Sequence, residues 1–344
     1  MTEYYCTYFD SNYLVKALAM LSSLERQEKH EYRVFAVCMD ELARLLLTRL
    51  DLPNVTAIPI HEIEERDLPL LHAKLDRTMV EYYWTTTPAV MLWILDHFPE
   101  VGVLNYVDAD LFFFGNTKSM RRELGDGSIL IHPHRFSPQL AHLEVHGKYN
   151  VGWISARNDE PAHEVLTKWR EQCIEWCKHD AVDGKCGDQK YLDDWPERYE
   201  CVRVSQNIGA GVGPWSHAQY KFKSDPNGGV QINGVHLIFY HFHSLVIVHP
   251  YVILPTKHAV YPLTEELLRC CFLPYTRALS THMARVFDVL PGFDCGLYDA
   301  ELWTAQNTVL ARKDTVPALH KEGMPATLKP LDEEWQYFPG AQLR

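Results

Sequence analysis

Between Glu100 and Thr117 the chain reads EVGVLNYVDADLFFFGNT, an apolar run, two aspartates one residue apart, and a second apolar run. A strand alternates its side chains between two faces, so in an extended conformation Asp108 and Asp110 point the same way at the end of a buried strand. Two carboxylates fixed side by side in a poorly solvated cleft repel. A divalent cation between them relieves that repulsion and leaves coordination positions for phosphate oxygens. An Asx turn closing a strand accounts for one aspartate after Val107. It does not account for the immediate return to Leu111-Phe112-Phe113-Phe114, which holds two charges between buried segments. The stretch predicts a hard-cation site suited to a metal-bound nucleotide.

The 344 residues suffice for one large α/β domain with an extension, or for two ordinary domains. A net charge of -12 argues against a nucleic-acid partner, which needs a basic face for counterion release. Nine cysteines without a repeating spacing fit reduced thiols better than a disulfide framework. The opening Met-Thr-Glu-Tyr-Tyr-Cys lacks the basic region and apolar core of a signal peptide, and a cytoplasmic location is expected. No Asp, Glu, Lys or Arg lies between Asp225 and Lys257, but glycines, four histidines and many β-branched and aromatic residues predict two buried strands there rather than a membrane span.

In chain order, Tyr4–Phe9 reads as a strand, Asp10-Ser11-Asn12 as a polar turn, and Tyr13–Gln27 as a helix. Tyr32–Met39 and Val55–Ile60 are further strands. Three strands in sixty residues predict a mostly parallel sheet with ligands at the strands' carboxyl ends, where Asp10, Asp40 and the Asp108/Asp110 pair converge. Thr85-Thr86-Thr87-Pro88 reads as a helix start. His132, His134, His142 and His146 form a His-rich stretch whose spacing matches no standard zinc pattern. Tyr149–Ile154 is a strand, Pro161–Lys178 a helix, and Asp188-Gln189 opens another helix. Val235–Tyr240 is a strand that delivers His241 and His243 onto one face, where an imidazole completes the sphere that two carboxylates leave open. From about Thr264 the pattern is helical, and beyond Pro291 it has no clear period.

With these residues in place the chain resembles the GT-A-fold glycosyltransferases. It is most similar to the retaining, metal-dependent group that includes glycogenin and bacterial lipooligosaccharide galactosyltransferases, over about Thr7 to Pro250. The resemblance implies an α/β fold, a Rossmann-like, mostly parallel sheet flanked by helices with a C-terminal helical and irregular extension. It implies a catalytic domain over 1–260 and an extension over 261–344 serving acceptor or oligomer contacts. YFDSNYL resembles the segment that holds base and ribose, implicating Tyr8, Asp10 and Asn12. YVDAD resembles the Asp-x-Asp of the family and implicates Asp108, Ala109 and Asp110 in metal and diphosphate binding. YNVGW puts Asn150 beside the donor sugar. GDQKYL puts Asp188 on the sugar hydroxyls and Gln189 near the anomeric carbon. YHFHS makes His241 the third metal ligand, with His243 the alternative.

Two departures stand out. Ser244 occupies a place where the family has glycine, and no lysine lies between Lys223 and Lys257, so the lysine that neutralises the diphosphate is missing from its usual position. Either Lys74 or Arg77 would substitute, or the donor would differ. The implied activity is transfer of a sugar from a nucleotide-diphosphate sugar, a UDP-sugar first, to an acceptor hydroxyl, with Mn2+ or Mg2+ as cofactor. Its partners would be that donor and a glycan, lipid-linked or protein acceptor, without a transmembrane span but with peripheral membrane contact allowed. The alternatives are a nucleotidyltransferase on a similar sheet, whose Gly-rich basic loop Phe9–Tyr13 lacks, and a non-catalytic nucleotide- or carbohydrate-binding scaffold.

Overall fold

The computed structural model describes residues 2–225, 229–258, 260–298, 308–321 and 328–340. Of the expected 261–344 extension, 299–307, 322–327 and 341–344 lie outside the described residues. The strands run β1 (Glu3–Phe9), β2 (Tyr32–Cys38), β3 (Val55–Pro59), β4 (Val103–Val107), β5 (Leu111–Phe113), β6 (Ile129–Pro133), β7 (Tyr149–Arg157) and β8 (Val202–Val204). They continue as β9 (Phe222–Ser224), β10 (Val230–Ile232), β11 (Val235–His236), β12 (Phe239–His241), β13 (Val246–His249) and β14 (Val252–Leu254). The last are β15 (Val309–Arg312), β16 (Lys329–Pro330) and β17 (Trp335–Phe338). The chain forms two compact units, and its backbone passes between them at Asp10/Ser11, Gln27/Glu28, Ala109/Asp110, Gly115/Asn116 and Gly211/Val212.

The first unit is built on a seven-stranded sheet of order β3-β2-β1-β4-β7-β6-β8. Four of its six pairings are parallel, those of β3-β2, β2-β1, β1-β4 and β6-β8, so the sheet is mixed and mostly parallel as expected. Its central strands are buried along nearly their whole length, because helices cover a parallel sheet on both faces. The Asp40 carboxylate caps helix Glu41–Leu50 by accepting from the Ala43 N–H at 2.7 Å. Helix Glu160–Glu175 is capped in the same way by Asp159.

The helix read as starting at Thr85–Pro88 in fact runs Met79–His97, with Pro88 inside it. Thr78 and Glu81 form a reciprocal capping box that starts the helix six residues before Thr85 would. The Thr85 and Thr86 hydroxyls turn back onto the carbonyls of Glu81 and Tyr82, both at 2.8 Å, so threonines that suit a helix start on propensity are absorbed into the interior.

The second unit carries a two-stranded sheet of β12 and β5, a three-stranded sheet β11-β10-β9, and a five-stranded antiparallel sheet β13-β14-β15-β17-β16. Where two buried strands were expected between Asp225 and Lys257 there are five short ones, β10 to β14. The tail without a period contributes β15 and β17, each of four residues. Strands this short show no alternation to read. Helix Leu14–Gln27 buries Leu14, Ala17, Leu18, Leu21 and Leu24, and helix Leu273–Val289 buries Leu279, Met283 and Val286. Among the described residues all nine cysteines are free, and no helix is long and apolar enough to cross a membrane.

Ser244, three residues beyond His241, has a left-handed φ of 63°. Its hydroxyl is 2.7 Å from the Thr256 hydroxyl. A side chain in this region costs about 1–2 kcal/mol and the hydrogen bond returns about 0.5–1.5 kcal/mol. Ser244→Gly loses the bond but relieves the strain, whereas Ser244→Ala loses the bond and keeps the strain. In urea denaturation the glycine variant is expected to be the more stable of the two by about 1 kcal/mol. The reverse order would contradict the strain.

Candidate metal centre

In the second unit, β12 runs antiparallel to β5 with His241 opposite Leu111, and the Phe242 N–H donates to the Asp110 carbonyl at 3.0 Å. This register brings the His241 imidazole to Asp110, Nε2 to carboxylate 3.1 Å, with both residues buried. Burial alone pushes the Asp110 carboxyl up. The His241 imidazole, with Lys16 and His243 behind it, outweighs burial and holds the carboxyl below the usual carboxylate range. β12 ends at His241, and the His243 ring lies edge-on to the His241 ring with centroids 6.2 Å apart, both rings packing against Trp215.

Asp108 follows the last residue of β4. Its carboxylate accepts from the Tyr106 hydroxyl at 2.7 Å, and its backbone N–H donates to the Gly152 carbonyl at 3.1 Å. One residue, Ala109, separates it from Asp110, so the covalent chain itself keeps the two carboxylates near each other. Asp108, Asp110 and His241 each offer a ligand atom, and these atoms lie within 4.8 Å of one another, the one such cluster among the described residues. Two hard carboxylate donors and an imidazole, one carboxylate already at hydrogen-bond distance from the imidazole, fit a divalent cation. The His-rich stretch goes elsewhere: His134 is paired with Asn150 at 3.1 Å, and His146 Nδ1 lies 3.3 Å from the Cys186 sulfur.

Two more carboxylates singled out by sequence, Asp10 and Asp188, sit in the first unit, each met by a hydroxyl. Asp10 accepts from the Tyr83 hydroxyl at 2.9 Å. Asp188 is buried and 3.2 Å from the Thr87 hydroxyl; it makes no side-chain cap to the short helical turn Gln189–Asp194 that follows it. Tyr8 lies between them, 2.9 Å from both the Thr87 hydroxyl and the Tyr83 carbonyl, with its ring against Tyr106. Burial, then the charge of Asp108, pushes the Asp188 carboxyl up to about 7. The hydrogen bonds agree. With Asp188 ionised, Tyr8 and Thr87 have two protons for three contacts, Tyr8 to Tyr83, Tyr8 to Thr87 and Thr87 to Asp188. A protonated Asp188 supplies the third, and the chain then runs from Asp188 through Thr87 and Tyr8 to the Tyr83 carbonyl.

Asn150 is buried and fully engaged at both ends of its amide, its oxygen accepting from the Gly152 N–H at 2.9 Å and its nitrogen facing His134. The Gln189 amide nitrogen donates to the His146 carbonyl at 3.1 Å, so the end it offers a ligand is its carbonyl oxygen. In the second unit the exposed Asn12 accepts from the Gly296 N–H at 3.1 Å. Gly296 has a φ of 77°, and a Cβ there would meet the Asn12 carbonyl at 2.1 Å, so only glycine allows this approach. Lys74 and Arg77 are not spare cations: Lys74 pairs with Glu64, and Arg77 is bound to Asp76 and to the Ile174 carbonyl.

Sequence reasoning missed Tyr83, Thr87 and Tyr106, the groups that hold the carboxylates. The signals were present: Tyr83 and Thr87 are four apart on one helix face, and Tyr106 is two before Asp108 on one strand face.

No family model matches the chain. Among solved structures, the galactosyltransferase LgtC in complex with donor and acceptor sugar analogs aligns over 81% of this chain and 95% of that one, with a TM-score of 0.52 and 13% identity. An active-site mutant of LgtC aligns over 86% and 100%, with a TM-score of 0.53 and 14% identity. At such identities the likeness is one of fold, and the fold is that of the GT-A glycosyltransferases. In sequence the chain is 32% identical over 250 residues to the uncharacterized protein YfnD of Bacillus subtilis strain 168, covering 72% of this chain and 79% of that protein. It is 32% identical over 255 residues to the uncharacterized protein YfnF of the same organism, covering 72% and 83%. The chain belongs to the family of YfnD and YfnF.

The state of Asp188 has a thermodynamic signature. Its carboxyl titrates near 7 when folded against an ordinary value of 3.8, so the folded state holds the proton more tightly than the unfolded state. The stability this group contributes is therefore fullest below about pH 4 and is lost as pH rises through about 7. Asp188→Asn, which keeps a neutral donor toward Thr87, is expected to match the wild-type protein near pH 4 and to exceed it at pH 8 by up to a few kcal/mol, at about 1.36 kcal/mol per pKa unit. Thermal denaturation of the metal-free protein at the two pH values checks this. Equal destabilisation at both would refute the neutral carboxyl.

Proposed function

We propose that the protein is a metal-dependent glycosyltransferase that moves a sugar from a nucleotide-diphosphate sugar, a UDP-sugar first, to an acceptor hydroxyl with retention of configuration, in glycan or glycoconjugate synthesis. The observation that carries the reading is the cluster of Asp108, Asp110 and His241 on the fold of the GT-A glycosyltransferases. Asp108, Asp110 and His241 would hold a manganese or magnesium ion, and that ion supplies Lewis-acid stabilisation of the negative charge on a departing diphosphate. A galactosyltransferase of the same fold is described with donor and acceptor sugar analogs, which supports the substrate class.

The chain's own residues divide the remaining work. Tyr8, Asp10 and Asn12 receive base and ribose, and Ala109 lets the sugar nucleotide approach between the two aspartates. Asn150, its amide fixed by Gly152 and His134, borders the sugar. Asp188 orients the sugar hydroxyls, so its loss lowers the turnover rate more than donor affinity. Gln189 presents a carbonyl oxygen, because its nitrogen is committed to His146. An amide is a poor base, but its dipole stabilises positive charge at an oxocarbenium-like anomeric carbon. The leaving phosphate oxygen then takes the acceptor proton on the same face, which preserves the anomeric configuration. Residues 1–260 serve as the catalytic part and 261–344 as the acceptor side, with a glycan, lipid-linked or protein acceptor met in the cytoplasm.

Asp110→Ala is expected to lower manganese-dependent turnover at least about 100-fold, since it removes a ligand and the partner of His241. Asp108→Ala is expected to be severe, and His241→Ala to weaken manganese binding in calorimetry more than His243→Ala. Full turnover by Asp110→Ala in manganese buffer would sink the metal assignment. Proton NMR of the first-formed product reads the anomeric configuration, and a β-linked product from an α-linked donor would remove both retention and the role of Gln189.

A further inference from the structure

The second unit holds a cleft of about 330 Å3 between helix Leu273–Val289 and the sheet that contains β14, β15 and β17. It shares no residue with the metal cluster. Tyr275 packs its ring on Phe242 with centroids 3.9 Å apart, and Leu279, Met283 and Val286 are buried, whereas Arg277 stands roughly 200° round the helix from Tyr275 at 3.6 residues per turn. Arg277, Thr281 and Ala284 thus form an exposed face, which is one wall of the cleft. The end of the sheet is the other wall: Arg312 is opposite Trp335, and its backbone N–H donates to the Tyr251 carbonyl at 3.0 Å. Exposed Glu334 borders this wall, and the buried Ser280 and Trp335 are the floor.

A junction between helix and sheet is normally filled, since protein interiors leave few voids larger than a water. Two arginine stems are long enough to fill this one, yet both are fixed at its walls by carboxylates. Asp314 accepts from Arg312 Nε and Nη2 at 2.7 and 2.6 Å, and the Arg312 guanidinium lies 3.4 Å from the centre of the Tyr251 ring. Asp332 takes Arg277 Nη2 with one oxygen and, with the other, accepts from the N–H groups of Glu334 and Trp335 at 2.7 and 2.6 Å. Arg277 Nε and Nη1 and the Glu334 carboxylate make no hydrogen bond among the described residues. The Ser280 and Thr281 hydroxyls donate to the carbonyls of Pro250 and Arg277 at 2.7 and 2.9 Å, so what they offer a ligand is their acceptor lone pairs. An anion finds both guanidiniums already paired and Glu334 beside them. A neutral polyol is served by the whole set, its hydroxyls accepting from Arg277 and donating to Glu334, Ser280 and Thr281. The volume, at the lower end of the roughly 300–1,000 Å3 of small-molecule sites, suits a short stretch of saccharide.

We propose that this cleft is a second saccharide site, which holds a neutral glycan acceptor by rings other than the one that receives the sugar, with Arg277 and Glu334 as its hydrogen-bonding groups. The acceptor role rests on the glycosyltransferase reading and narrows its acceptor to a neutral glycan. The test probes an array of neutral, uronic-acid-bearing and phosphorylated oligosaccharides with the full chain in EDTA without nucleotide, and then titrates the strongest binder by calorimetry into wild type, Ala284→Trp and Glu334→Gln. Neutral oligosaccharides are expected to be retained in preference to acidic ones. Ala284→Trp, a change at an exposed helical position that removes no hydrogen bond, fills the cleft and is expected to abolish the binding, and Glu334→Gln is expected to weaken it about tenfold. Both variants are expected to bind manganese as wild type does. Preference for acidic saccharides overturns the proposal, as does binding that Ala284→Trp leaves intact, since the sugar is then held elsewhere. Where Ala284→Trp does not fold, unchanged affinity in Glu334→Gln overturns it. A wild-type chain that binds manganese but no saccharide overturns this inference alone, whereas one that binds the saccharide through the cleft but no manganese supports the cleft and overturns the proposed function.

Discussion

The interaction on which the candidate site depends is the contact of Asp110 with His241 across two short antiparallel strands. Neither group tolerates burial alone, since an isolated buried carboxylate is expensive and an unpaired imidazole loses its hydrogen bonds. Together they satisfy each other at 3.1 Å, and the pairing of Leu111 with His241 fixes the register that joins them. A slip of one residue would turn His241 to the other face and leave Asp110 without its partner. The three residues of β12 therefore set where the whole following turn lies, including Ser244 and the backbone carbonyls that receive the Lys16 ammonium and the Lys257 N–H.

The first unit solves a related problem with neutral groups. Asp10, Asp108 and Asp188 are each met by a hydroxyl, from Tyr83, Tyr106 and Thr87. Hydroxyls hold a carboxylate in place without neutralising it, and they leave its charge to act on its neighbours. Burial first, and then the charge left on Asp108, push the Asp188 carboxyl up to about 7. A divalent ion at Asp108 would offset that charge, so metal binding and the ionisation of Asp188 are coupled in sign: each favours the other.

What could be read in the sequence follows from the length of the elements. β1 and β2, seven residues each and buried nearly throughout, announce themselves, as does the Asp108/Asp110 pair, whose spacing carries the strand period. Thr85–Pro88 misled because propensity favours a start there, while the real start is the Thr78–Glu81 box in a segment that looked merely charged. The same-face argument for His241 and His243 assumed that the strand continued. It stops at His241, and the backbone enters the left-handed region at Ser244. Pairings such as β14 with β15, joined by residues more than fifty positions apart, leave no local trace, and strands of three or four residues have no pattern of their own.

The serine that departs from the resemblance is held by the hairpin that follows it. A serine in place of glycine is tolerated at φ 63° only with an added stabilising contact, and the Thr256 hydroxyl provides it. Thr256 is there because the chain, after His241, does not carry a lysine directly onward but runs out and back through the β13–β14 hairpin. That hairpin returns Thr256 and Lys257 together, one to the Ser244 hydroxyl and the other to the Ser244 carbonyl. Ser244 is thus held through two adjacent residues of the returning strand end. A change that straightened or shortened the hairpin would remove the Thr256 and Lys257 contacts to Ser244 in the same step.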